Sequence, residues 1–349
     1  MSGLKSSIKI FESHAPFTLE SGDSLPGVQI AYHTYGKPNP DRSNCIWVCH
    51  ALTANSDVAD WWPHTVEKNC FLDPEKYFIV CANIIGSCYG STGPLFVNPQ
   101  TGQPWYDRFP KLTIRDIVKA HILLADHLGI KLFASLIGSS VGGFQALEWS
   151  VMQPERFRSV VLIATDAYAS PWTVAADETQ RMAIFADKTY GEQRPDAATD
   201  GLAAARAIGM LTYRGASGYN ASQQDVDIDN TYLNQPRRAA TYQRHQGKKL
   251  TQRFDAYSYV TILNAFDTHN IGRGRGDIPQ ALERLSMPVL VVGITTDIIF
   301  TPSEMKRLAD MIPFAEYQEI ESAFGHDGFL VEHAILNKII TAFFQKNNI

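Results

Sequence analysis

The sequence contains no apolar run that approaches the length of a bilayer-spanning helix. It also lacks an excess of either charge: Lys and Arg number 31 against 36 Asp and Glu, a formal net charge of -5. That balance gives no overall attraction to nucleic acid or to an anionic membrane, so neither partner is expected. Cysteine is scarce. The five present, Cys45, Cys49, Cys70, Cys81 and Cys88, are odd in number and confined to about the first quarter of the chain. They form no disulfide framework and no metal-ligand spacing, which points to reduced core thiols in a cytoplasmic protein with no metal site. The first nine residues carry a little positive charge but no apolar stretch behind it, so no secretion signal is expected there. Internal repeats and low-complexity tracts are absent as well.

What the chain does have is apolar material, 45% of 349 residues with 19% charged, enough for one large domain or two ordinary ones. Residues 45–50, 77–83, 132–137, 159–164 and 288–294 are continuous apolar runs, the pattern of strands buried on both faces in a parallel sheet. Residues 317–320 supply a further, shorter strand. Shorter extended pieces at 8–11, 17–19 and 28–33, separated by turn residues, predict antiparallel strands at a sheet edge. Helical periodicity falls between the runs, over 114–124 (stopped by Gly129), 303–311 and 332–344. Alternating strands and helices argue for a mostly parallel α/β sheet. The alternation breaks between about residues 168 and 285, where no strand run occurs and helices are expected over 177–185, 201–213 and 257–266. This stretch reads as a helical insertion capping the carboxyl edge of the sheet, where ligands bind in such folds. The expected division is a catalytic core of residues 1–167 and 286–349, with a helical lid and dimerisation domain over 168–285.

The run at 132–137 leads into Gly138-x-Ser140-x-Gly142 and then a helix, the pattern of a nucleophile elbow. A turn this tight brings backbone against backbone, and glycines on either side of Ser140 avoid a clash. The turn lifts the hydroxyl clear of the sheet and aims the first helical amides, including that of Val141, at any oxygen that turns negative nearby. A hydroxyl nucleophile needs a base within reach and a third group to orient it. His326, flanked by glycine after the last strand, and Asp297, directly after the 288–294 run, stand where the order Ser, Asp, His requires them. Asp166, just past the 159–164 run, is the rival acid. His50 also ends a strand, but a structural hydrogen bond at the start of a loop suits it better than catalysis. The second oxyanion donor is expected from the loop at 50–55, as the Leu52 amide.

With those residues in place, the chain resembles the homoserine O-acetyltransferase family, acyltransferases of the α/β-hydrolase fold that serve methionine biosynthesis. The resemblance covers nearly the whole length. It rests on His50-Ala51-Leu52-Thr53, Asp60-Trp61-Trp62, the stretch from Asn83 to Pro94, Thr113-Ile114-Arg115-Asp116 and Gln145-Ala146-Leu147-Glu148-Trp149. Leu211-Thr212-Tyr213-Arg214, the stretch from Arg253 to Tyr259 and Gly325-His326-Asp327-Gly328-Phe329-Leu330 extend it. The family pattern usually has Gly at Ser139 and Met at Val141. The resemblance implies acetyl-CoA as co-substrate with no permanently bound cofactor, homoserine as acceptor, and a covalent acetyl group on Ser140. It also implies that Arg206 grips the acceptor carboxylate, that Tyr213 lines the same pocket, and that Asp327 holds the ammonium. Arg206 and Tyr213, seven apart on one helix, would share a face, and a guanidinium suits a carboxylate. Asp327 also suits an N-cap of the last helix. A homodimer through the cap helices is implied too. Arg273 and Arg275 stand in a Gly-rich stretch that reads as a flexible linker, or else as a source of cations for CoA phosphates. Three alternatives share the scaffold: homoserine O-succinyltransferase, serine O-acetyltransferase, and an esterase or thioesterase.

Overall fold

The strands of the main sheet are, in chain order, β1 Lys9–Ser13, β2 Val28–Tyr35, β3 Cys45–Cys49, β4 Phe78–Ala82, β5 Phe133–Ser139, β6 Val160–Ile163, β7 Val289–Ile294 and β8 Ala315–Ile320. In the computed structural model, which describes residues 6–225 and 237–349, they form one sheet ordered β1-β2-β4-β3-β5-β6-β7-β8. From β4 to β8 neighbours are parallel, while β2 lies antiparallel to both β1 and β4. The antiparallel pieces do gather at one edge. Phe17–Thr18, however, pairs with Ser24–Leu25 in a separate ribbon outside the main sheet. Residues 1–5, with which the amino-terminal segment begins, and 226–236, inside the expected lid, lie outside the described residues.

Alternation explains why the central runs are apolar throughout. Trp47 of β3 and Leu136 of β5 point into one core, Val48 and Ile137 into the other. Both faces of the sheet are covered, so there is no polar side to show in the sequence. The helices that cover it include α1 Ile114–His127, α2 Val141–Met152, α9 Pro302–Met311 and α10 His333–Lys346. Helix α1 starts on a full capping box in which Thr113 and Asp116 satisfy each other's backbone N–H groups. Helix α2 is buried on nearly every side rather than along one stripe.

The stretch from 168 to 285 contributes α3 Pro171–Phe185, α4 Thr199–Tyr213, α5 Ala216–Gln223, α6 Arg238–Thr251, α7 Ala256–Asp267 and α8 Ile278–Leu282. Among the described residues it adds no strand to the main sheet. Its last part corrects an expectation. Arg273 and Arg275 are neither a loose linker nor free cations. Arg275 donates to Glu148 (Nη1 to Oε2, 3.0 Å) and to the Ile271 carbonyl, while Arg273 pairs with Glu20 at 3.0 Å. Arg115 bridges the two carboxylates at 2.7 Å each. Burial would raise the Glu148 carboxyl, but bonds from Arg275 and Arg115 outweigh it and hold it below its ordinary value. The cluster bolts the cap's exit strap to α1 and α2.

Candidate active site

The β5–α2 turn is as tight as its glycines suggest. Ser140 sits at φ 56°, a left-handed conformation rare for a residue with a side chain. A Cβ on Gly138 would collide with the Gly142 carbonyl, and one on Gly142 with the Cys49 carbonyl of β3. Ser140 leaves the sheet directly after β5 and its hydroxyl donates to His326 Nε2 at 2.9 Å. His326 Nδ1–H donates in turn to Asp297 Oδ2 at 2.7 Å. The other Asp297 oxygen accepts from the Ile299 and Phe300 amides at 2.8 and 3.1 Å, so the carboxylate cannot rotate away. Burial alone would lower the His326 pKa. The Asp297 charge, its hydrogen bond and the nearby Asp327 charge overcome this and raise it. Asp166 lies elsewhere: it pairs with Arg307 at 2.6 Å, and burial pushes it up to about 6.

Ser140 and His326 lie on the floor of a cavity of about 460 Å³ between sheet and cap, with Asp297 buried behind the imidazole. Ser140, His326, Leu52, Arg206, Tyr213 and Asp327 all line it. Arg206 stands over the Tyr213 ring at 5.3 Å, as their spacing on α4 requires. Tyr213 is bonded to Tyr259, whose hydroxyl donates to Gln180 Oε1 at 2.6 Å. Burial pushes the Tyr213 phenol up to about 12, which keeps it a neutral donor. Asp327 does not cap the last helix. It precedes the short turn Gly328–Val331 without a side-chain capping bond and instead pairs, through Oδ2, with Arg214 at 3.0 Å. Val141 opens α2, so its amide has no partner within the helix.

The loop at 50–55 is fastened along its length. The His50 carbonyl accepts from Gln145, the Ala51 carbonyl from the His50 ring at 2.9 Å and the Ala54 amide at 3.1 Å, and the Asn55 carbonyl from Trp61 at 2.8 Å. Arg253 donates to the Thr53 carbonyl. His50 therefore makes the structural bond expected of it, and burial brings its pKa down to about 4, so the ring is neutral.

A seam of glycines joins cap to core beside the His326 imidazole. A side chain on Gly325, at φ +64°, would strike the Gly215 amide and the Arg214 carbonyl carbon. Cβ atoms on Gly215 and Gly218 would both strike the Ala323 carbonyl. Arg253 on the cavity wall, and Arg214 and Tyr259 behind it as partners of Asp327 and Gln180, lie in the sequence motifs with no role read from them; Gln180 and Lys249, on the wall, carry no local signal at all. Among the described residues no cluster of metal-binding side chains occurs, and no helix is long and apolar enough to cross a membrane.

The family model for the α/β hydrolase fold matches residues 45–333. A homoserine O-acetyltransferase of Cyclobacterium marinum is 43% identical over 340 residues, 97% of this chain and 96% of that one. Among solved structures, a homoserine O-acetyltransferase of Bacillus anthracis superposes with a TM-score of 0.89 at 23% identity, covering 97% of each chain. Esterase E22 does almost as well, with a TM-score of 0.88 at 21% identity over 97% of this chain and 100% of its own. At those identities the two superpositions establish the fold only.

Proposed function

The chain belongs to the homoserine O-acetyltransferase family of the α/β hydrolase fold, and from that premise we propose that this acyltransferase carries acetyl from acetyl-CoA to the L-homoserine hydroxyl by way of acetyl-Ser140. The observation that carries it is the unbroken Ser140–His326–Asp297 hydrogen-bond chain, whose Ser140 and His326 open into a cavity walled by both Arg206 and Asp327. A cation and an acid suit an amino acid's two charged ends, and a plain ester needs neither.

In the first half-reaction His326 Nε2 takes the Ser140 proton as Oγ attacks the thioester carbon. The Leu52 and Val141 amides stabilise the oxyanion, and the collapsing intermediate expels the CoA sulfur, which receives the proton from His326. In the second, the homoserine hydroxyl gives its proton to the same nitrogen and attacks the acetyl carbon, and Ser140 leaves with that proton. Asp297 holds the imidazole in the tautomer that keeps Nε2 free. Arg206 grips the acceptor carboxylate beside Tyr213. The ammonium takes the Asp327 oxygen that Arg214 leaves open. Lys249, an exposed ammonium on the cavity wall, has the sign that CoA phosphates need.

The test is thiol release from acetyl-CoA and succinyl-CoA against homoserine, serine and buffer. Acetyl-CoA with homoserine should be fastest. Equal release in buffer alone would make the protein a thioesterase, and a faster succinyl or serine reaction would make it the corresponding transferase.

A homodimer through the cap accords with Trp172, Met182 and Leu211 of α3 and α4, which stand 55%, 60% and 61% exposed. Light scattering should give twice the chain mass, and a monomer mass overturns the pairing. Cytoplasmic residence accords with the acetyl-CoA donor and the five free thiols; recovery of the native enzyme outside the cytoplasm would contradict it.

A further inference from the structure

Building on the two-step mechanism above, we propose that His50 is a positioning residue: it aims the Leu52 N–H at the oxyanion by holding the carbonyl at the other end of the same peptide plane. Every described peptide bond is trans, so the Ala51 C=O and the Leu52 N–H lie in one rigid unit and point in opposite directions. The His50 ring takes that carbonyl at 2.9 Å, while Leu52 lines the catalytic cavity. Drawing the carbonyl away from the cavity turns the N–H toward it.

The ring itself is set by the backbone. The Ile84 amide donates to His50 Nε2 at 3.2 Å, which requires that nitrogen to be unprotonated. In a neutral imidazole the proton then sits on Nδ1, the atom facing the Ala51 carbonyl. Ile84 follows β4 and His50 follows β3, so two adjacent strand ends fix one imidazole, and the imidazole fixes the peptide. The Ala54 amide, 3.1 Å from the same oxygen, closes the turn from the other side. Gln145 adds a link to the elbow. Its side-chain amide donates to the His50 carbonyl at 3.3 Å and to the Val141 carbonyl at 3.2 Å, coupling the segments that carry the two donors.

Two variants separate aiming from support. In His50→Asn the side-chain nitrogen falls near the former Nδ1 and still donates to Ala51. In His50→Gln the side-chain oxygen falls near the former Nε2 and still accepts from Ile84, but the carbonyl is released. Outright loss of one oxyanion donor costs ~10²–10³ in kcat, so His50→Gln should turn over at least about tenfold more slowly than His50→Asn, with the same KM for acetyl-CoA. Equal kcat values in the two folded variants overturn the proposal. The wild-type protein gives an independent measure that no folding defect can obscure: nitrogen NMR should report a neutral His50 protonated on Nδ1, and a proton on Nε2 overturns the proposal equally. If wild-type protein mixed with acetyl-CoA forms no acetyl-Ser140, the acyl-enzyme mechanism falls and this role of His50 with it. Normal acetylation alongside equal variants removes only the role of His50.

Discussion

Ser140→Ala should lower acetyl transfer by about 10⁶-fold, the scale of losing the nucleophile from a Ser-His-Asp unit. The protein should stay folded, because among the described residues the hydroxyl is bonded to His326 alone and the replacement keeps the same Cβ in the same turn. Two measurements check this: steady-state turnover with acetyl-CoA and homoserine, and mass analysis for an acetyl group on the elbow peptide after mixing with acetyl-CoA alone. Wild type should carry the adduct and the variant should not. Turnover within about tenfold of wild type would place the nucleophile elsewhere, since no accessory group supplies that much of the rate.

Asp297→Asn is the second large effect, a fall in kcat of about 10⁴. An asparagine oxygen in place of Oδ1 would keep the bonds from the Ile299 and Phe300 amides. Its NH₂ would then face His326 Nδ1 and demand an acceptor there. The imidazole would hold its proton on Nε2, toward Ser140, where a base is needed. The pH profile offers a second check. As the proposed general base His326 must be neutral, and its pKa is raised, so wild-type kcat/KM should fall as pH drops through a value above that of an ordinary histidine. Stability runs the other way. A folded pKa above the unfolded one means protonated His326 stabilises the fold; that contribution is full below the unfolded value and is lost as pH climbs through the folded one. Replacing Asp297 removes the main raising influences and leaves burial, which lowers the pKa, opposed only by the smaller effect of the Asp327 charge. The acid limb of the residual activity should therefore move to lower pH.

The sheet was legible because its central strands have no solvent face: Cys45–Cys49 and Val289–Ile294 are buried at every position, and continuous apolar runs record that. Ser140, Asp297 and His326 were legible because each immediately follows a strand or its connecting turn, where topology limits what a side chain can reach. Much of the cap was not. Helix α5 reads ASGYNASQ and buries none of its residues, so no apolar stripe marks it. Helix α6 buries only Gly247 and Leu250, and Gly247 is there because a Cβ would strike the Ala203 carbonyl of α4. Packing imposes such helices where local preference does not. The arginines of 273–275 misled for a related reason. Glycines around them suggest freedom, but their carboxylate partners come from Glu20 and Glu148, more than a hundred residues away in sequence. Pairings that distant leave no spacing to read.

The bare-backbone contact at Gly215, Gly218 and Gly325 bears on how such a scaffold diversifies. On a topology diagram the cap looks like a cassette that evolution, or an engineer, can exchange whole. Here the cassette's own main chain serves as the shim beneath the loop that sets the height of the imidazole. A transplanted roof would thus bring new tolerances to the proton relay along with a new substrate pocket, and diversification should proceed by substitution within the roof sooner than by replacing it.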